Sequence, residues 1–143
     1  MHALPLTEPE IDEFLAAFEG GKLPKEHWTH SAHLFTGACY VHALGEEPAI
    51  QHMRVCIKRH NESVGTANTE TSGYHETITI AWIKMLKRLL RDSSPMNRAE
   101  FAHLAVERFA GDRGIFGRYY EFDLVKSVEA RRRWIPPTLA SFD

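Results

Sequence analysis

The chain has 143 residues, 43% of them hydrophobic and 25% charged, with a formal net charge of −2. That length fits one domain whose core needs neither metal nor disulfide, and that composition excludes a disordered chain. The slight acidity argues against broad binding to nucleic acid or to an anionic membrane surface, and no apolar run is long enough to span a bilayer.

The first ten residues lack a basic stretch followed by a long apolar one, so no secretory leader is expected and the expected compartment is the cytoplasm. The first predicted helix covers residues 8–19. Thr7 and Glu10 form a capping box, Pro9 is tolerated in the first turn, and Ile11, Phe14, Leu15 and Phe18 share one stripe. Gly20 and Gly21 end it. A second helix is predicted over 27–44, with Trp28, Ala32, Phe35, Cys39 and His42 on one stripe and Gly45 as its stop. His30, His33, Leu34, Gly37 and Val41 lie on a second side, so this helix has two apolar faces and belongs at the centre of a bundle. Gly37, one turn from His33, is expected to leave room for a ligand.

The third helix covers 48–62, begins at Pro48, and places His60 in line with Ile50, Met53 and Ile57. A polar loop follows over 65–73. The fourth helix is predicted from near Gly73 to Leu90, capped by Thr71 or Ser72, with Tyr74, Ile78, Ala81, Trp82, Met85 and Leu89 as its core face. The fifth covers 98–110, with Asn97 and Glu100 as its capping pair. A short helix over 128–134 follows Ser127 and stops at Pro136 and Pro137. No segment alternates as a strand does. The reading is a single all-α domain, residues 1–143, built as an irregular antiparallel bundle of about five helices plus a short C-terminal one.

Nine histidines occur, three of them at positions 27, 30 and 33. Residues three apart are neighbours on a helix, so His30 and His33 point the same way. His60 and His75 add imidazoles from the next two helices. Imidazole suits zinc, iron or nickel, and a catalytic site needs three protein ligands and an open position. His30, His33, His60 and His75 are therefore the candidate ligands of a divalent transition metal. The bland alternative is histidines hydrogen-bonded in the core, and no His-Glu-x-x-His or repeated Glu-x-x-His motif stands against it.

The loop before the fourth helix is the second signal. Asn68, Thr69, Thr71, Ser72 and Tyr74 are the candidate ligand-binding residues, because hydroxyls beside free amides hold a carboxylate or phosphate. Plain capping explains only one of them. His75 has an ordinary pKa near neutrality and is the candidate acid–base group, with Glu76 (or Glu62) as base toward a bound water. The run Arg131-Arg132-Arg133 reads as the solvated side of the terminal helix. Arg113, Arg118, Tyr119 and Tyr120 fall in a glycine-punctuated loop that would serve as a lid. Cys39 and Cys56 have no metal or redox spacing and read as inert buried thiols.

The strings His27-Trp-Thr-His-x-x-His-Leu34 and Gly73-Tyr-His-Glu-Thr-Ile-Thr79, with the ending Glu129-Ala-Arg-Arg-Arg-Trp-Ile-Pro-Pro137, resemble those of a family of small bacterial helical proteins of unassigned function. The resemblance implies that His30, His33, His75 and Glu76 form one constellation, and it implies no activity.

The leading expectation is a small helical enzyme with a histidine-lined pocket, a metal-dependent hydrolase or an acid–base catalyst acting on a small polar or anionic metabolite. A non-catalytic module that binds or senses such a molecule is the first rival, and an interaction domain with structural histidines is the second. The expected partner is a small polar or anionic molecule, with a homodimer as the allowed self-association and neither nucleic acid nor membrane.

Overall fold

The structure, a computed structural model, describes residues 3–143; the reading of a leaderless start at Met1 and His2 lies outside the described residues. Six α-helices form an irregular bundle, with no strand among the described residues. In α1 (Glu8–Glu19) the capping box forms as the sequence predicts. The Thr7 hydroxyl accepts from the Glu10 amide, and the Glu10 carboxylate accepts from the Thr7 amide. Ile11, Leu15 and Phe18 are its buried stripe.

α2 (His30–Leu44) starts three residues later than the 27–44 expectation. Thr29 is its N-cap, the hydroxyl accepting from the Ala32 amide at 3.1 Å, and Lys25–His27 form a separate 3-10 turn. Trp28 therefore lies outside the helix whose stripe it was expected to share. Its ring stacks on Phe18 at 4.3 Å between centroids. From Leu34 to Val41 every residue is buried, as a helix with two apolar faces requires, and α2 touches α3, α4 and α5. A Cβ on Gly37 would meet Leu86 Cδ1 at 3.1 Å. The space expected there for a ligand is filled by α4 instead.

Gly45 closes α2 and opens α3 (Glu46–Ser63) with no residue between them, in a backbone conformation of φ +87° that suits glycine. Ala49, Ile50, Met53, Cys56, Ile57 and His60 make the inner face of α3. α4 (Glu76–Asp92) begins later than expected, and its N-cap is His75 rather than Thr71 or Ser72. Those two hydroxyl residues belong to a loop folded on itself, too early in the chain to reach the helix. α5 (Arg98–Phe109) starts on the Asn97–Glu100 capping box and lies along α2.

α4 is buried on two sides. Ile80, Ile83, Leu86 and Leu89 join the main core, whereas Ala81 and Met85 join a second cluster with Ile115, Tyr119, Tyr120, Leu124, Ala130 and Phe142. The segment after α5, with the short α6 (Val128–Arg132), thus wraps the outer side of α4. The Thr77 hydroxyl pins it, donating to the Arg133 carbonyl at 2.7 Å and accepting from the Ile135 amide at 3.0 Å. Tyr119 stacks on Phe142 and receives an Arg88 N–H, while the Tyr120 hydroxyl donates to the Ile135 carbonyl. These two tyrosines are parts of a core, not of a lid.

Candidate functional site

The loop between α3 and α4 is organised by one amide side chain. Asn68 Oδ1 accepts from Asn61 Nδ2 at 2.9 Å and from the Tyr74 amide at 3.0 Å, and its Nδ2 donates to the Lys58 carbonyl at 3.2 Å. The Thr69 amide donates to the Ser72 carbonyl at 2.9 Å. Gly73 makes the close approach feasible. Its φ is +78°, and a Cβ there would lie 2.5 Å from the Ala67 carbonyl oxygen and 2.6 Å from Asn68 Oδ1.

This loop, α3 and α6 enclose a cleft of about 450 Å³. Arg54 and Lys58 enter from α3, one helical turn apart; Asn68, Thr69 and Glu70 come from the loop; Tyr74 and Glu76 lie at the start of α4; Arg131 and Arg132 come from α6. Arg54 holds Glu76 bidentately, Nε to Oε1 at 3.0 Å and Nη2 to Oε2 at 2.8 Å, and the Tyr74 hydroxyl donates to Oε1 at 2.7 Å. Burial raises the Glu76 carboxyl, but the bonds from Arg54 and Tyr74 and the charges of Arg54 and Lys58 outweigh it, leaving the group below its ordinary value. Burial, then the neighbouring Glu76, pushes the Tyr74 hydroxyl up. Neither group titrates near neutrality.

The other cations of the cleft are less tied. Lys58 Nζ sits 5.1 Å over the Tyr74 ring and makes no ion pair among the described residues. Arg131 donates to the carbonyls of Gly73 at 2.8 Å and Val125 at 3.4 Å, and meets no carboxylate. Arg132 reaches Glu70 at 3.5 Å, with both side chains about two-thirds exposed. Four cationic side chains thus face two carboxylates, in a chain whose net charge is −2.

The histidines are placed differently. His75 Nδ1 accepts from the Ile78 amide at 3.1 Å and Nε2 lies 2.7 Å from the Leu124 carbonyl. A carbonyl only accepts, so Nε2 carries the proton and both nitrogens are engaged. Burial, and less strongly Arg131, lowers this pKa against the opposing bond to Leu124. His60 is 1% exposed; its Nε2 donates to the Leu23 carbonyl at 3.1 Å, and its Nδ1 is buried without a partner. His33 packs on Trp28 at 4.1 Å and His60 lies 5.3 Å from the same indole. Crowding by protein, then the charges of His30 and His60, pushes His33 down to about 3, although the residue, like His30, is exposed to solvent. His30 packs 5.8 Å from Trp82, and burial followed by Arg113 lowers it too.

His33 and His60 therefore gather at Trp28, with His30 near enough to act on His33 but packed on Trp82, and His75 shares no hydrogen bond or ring contact with any of them. Among the described residues no three His, Cys, Asp or Glu side chains are placed to hold one metal ion. Asn68, Thr69, Tyr74 and Glu76 line the cleft; Thr71 and Ser72 are exposed outside its lining. Arg54 and Lys58 were not read as site residues from the sequence, although their spacing of four places them on one helix face. Arg131 was expected on the solvated side of α6, yet its guanidinium is turned inward onto main-chain carbonyls. Comparison with family models, curated proteins and solved structures gives no match for this chain.

Proposed function

We propose that this chain binds a small anionic molecule in the cleft between α3, the 65–75 loop and α6, acting as a binding or sensing module. The observation that carries this reading is the local surplus of cations, above all Lys58, which forms no ion pair among the described residues, and Arg132, which holds only a long exposed one to Glu70. A charge surplus within a walled cleft attracts and holds a counter-charged ligand more strongly than the same groups spread over a surface. Glu76 below and Tyr74 above neutrality leave the cleft without a ready proton donor–acceptor, which favours binding over turnover. The test is thermal stabilisation by a panel of anionic and neutral metabolites at constant ionic strength. Anions should raise the unfolding temperature saturably, as ligands of the native state do, and the Lys58→Gln/Arg132→Gln double variant should lose the response. Equal responses in the variant, or stabilisation by neutral compounds alone, overturn the reading.

A second reading keeps the histidines. It takes His30, His33 and His60 as ligands of zinc, iron or nickel in a hydrolytic site. The lowered pKa values of all three support it, since a neutral imidazole is the form that ligates. Their present spacing does not close on one ion, so the rings would have to move together. Elemental analysis of untagged protein beside His30→Ala/His33→Ala tests it. Near-stoichiometric metal, lost in the variant, is the expected result; equal metal content in both proteins refutes it.

A further inference from the structure

The following step rests on the anion reading of the cleft and names its ligand chemistry. The cleft's donors fall into two groups. Arg54 uses its planar fork on Glu76, Arg131 is turned onto the carbonyls of Gly73 and Val125, and the Asn68 amide donates to the Lys58 carbonyl. Three donors remain, and they come from three different walls. They are the Lys58 ammonium from α3, the Arg132 guanidinium from α6 and the Thr69 hydroxyl from the loop. The Thr69 oxygen accepts from the Thr71 amide at 3.3 Å, which leaves its hydroxyl proton for an incoming acceptor.

Two features of this set point to one class of anion. A carboxylate offers oxygens in one plane and is matched by a single planar fork, whereas donors diverging from three walls suit oxygens arranged tetrahedrally. Four cations against two carboxylates leave a surplus of positive charge, which grows when Glu70 is displaced and which a dianion offsets more fully than a monoanion does. Arg132 also already carries a competitor. Glu70 occupies it at 3.5 Å, across the mouth between loop and helix, as a weak exposed pair of the kind a stronger anion replaces. Glu76 cannot play that part, because Arg54 and Tyr74 hold it from two sides.

We infer that the ligand's anionic group is a tetrahedral dianion, a phosphoryl group, held between Lys58 and Arg132, and that it enters by displacing the Glu70 carboxylate from Arg132. The group comes either as free phosphate or on a small phosphomonoester; the cleft's volume leaves room for an organic part.

The experiment is calorimetric titration of the full chain at pH 8 and constant ionic strength with inorganic phosphate, sulfate, acetate and glycerol phosphate. Phosphate and sulfate should bind saturably, at least about tenfold more tightly than acetate, as expected for a second unit charge placed between two cations. Tighter binding of glycerol phosphate than of phosphate assigns the monoester; the reverse assigns the free ion. Glu70→Gln should tighten phosphate binding by about two- to fivefold, the span an exposed pair allows. Thr69→Val should weaken it with the helical circular dichroism unchanged. Acetate binding as tightly as phosphate overturns the dianion while leaving an anion cleft in place. Unchanged or weaker phosphate binding in Glu70→Gln overturns the displacement. If none of the four anions binds, and Lys58→Gln behaves as the parent, the anion reading of the cleft itself fails.

Discussion

The basic cleft and the ring cluster around Trp28 use residue types familiar from catalytic sites, but they differ in what those residues already hold. Around Trp28 the imidazoles of His33 and His60 pack against the indole, and His60 gives its Nε2 proton to a backbone carbonyl while its Nδ1 stays unpartnered. In the cleft, Lys58 and Arg132 face open space with partners that are weak or absent. Surroundings rather than residue type separate the two regions, aromatic rings on one side and unbalanced charge on the other. A histidine whose lone pair and proton are both taken does structural work; a lysine with no carboxylate paired to it is open to an anionic ligand. His75 shows the distinction within the cleft's own neighbourhood, since it lies next to Glu76 in sequence and is 7% exposed with both nitrogens bonded.

The hardest test of this contrast is Gly73→Ala. A β-carbon would strike the Ala67 carbonyl and the Asn68 side chain at a positive φ, so both strain and collision oppose it. Denaturant titration should show a loss of about 3 kcal/mol or more, with anion binding abolished because the loop no longer seats Asn68. His75→Ala comes next. It removes a helix cap and leaves the Leu124 carbonyl unpaired, at a cost of about 2 kcal/mol. His75→Asn, which restores a capping group, should regain part of that loss. If instead His75→Ala keeps full stability and loses ligand affinity, His75 belongs to the site and the contrast fails.

A pH series sharpens the comparison from the other side. His33 is lowered to about 3, from an ordinary value near 6.5 in the unfolded chain. Above pH about 6.5 the ring is neutral in both states and contributes no pH dependence. As pH falls below that, the unfolded chain takes up a proton that the folded one refuses, so stability declines steadily toward about pH 3. His60 and His75 act with the same sign. Glu76, also lowered, withdraws its contribution only below about pH 4.5, so the window between 6.5 and 4.5 reports the imidazoles. His33→Gln should flatten the stability curve in that window, and an unchanged slope would contradict the assignment. The smallest expected effect is on the stability of Lys58→Gln. Lys58 is exposed and unpaired, so unfolding should shift by less than about 0.5 kcal/mol while anion affinity falls.

Local signals were legible in the sequence and distant ones were not. The Thr7–Glu10 and Asn97–Glu100 boxes place the starts of α1 and α5 because every bonded atom lies within three residues. The start of α2 was misplaced because Trp28 fits the helical period of residues it does not join, while Thr29 carried the true cap. The start of α4 was misplaced because hydroxyls at 71 and 72 look like caps until Asn68 is seen to fold the loop away. Half of the cleft was readable as a polar loop. The arginine wall was not, since Arg131 meets Gly73 across 58 residues of chain, and no periodicity reports such a pairing.

Thr77 ties α4 to the backbone at Arg133 and Ile135, and Phe142 closes the second core. During synthesis the first wall of the cleft, at Arg54 and Lys58, leaves the ribosome long before the last one. A nascent chain halted at the end of α5 would hold α4 with Ala81 and Met85 uncovered, a sticky intermediate of the kind chaperones retain. On the proposed anion reading of the cleft, ligand competence and the covering of the outer face of α4 would share one late event, because both need the segment after α5.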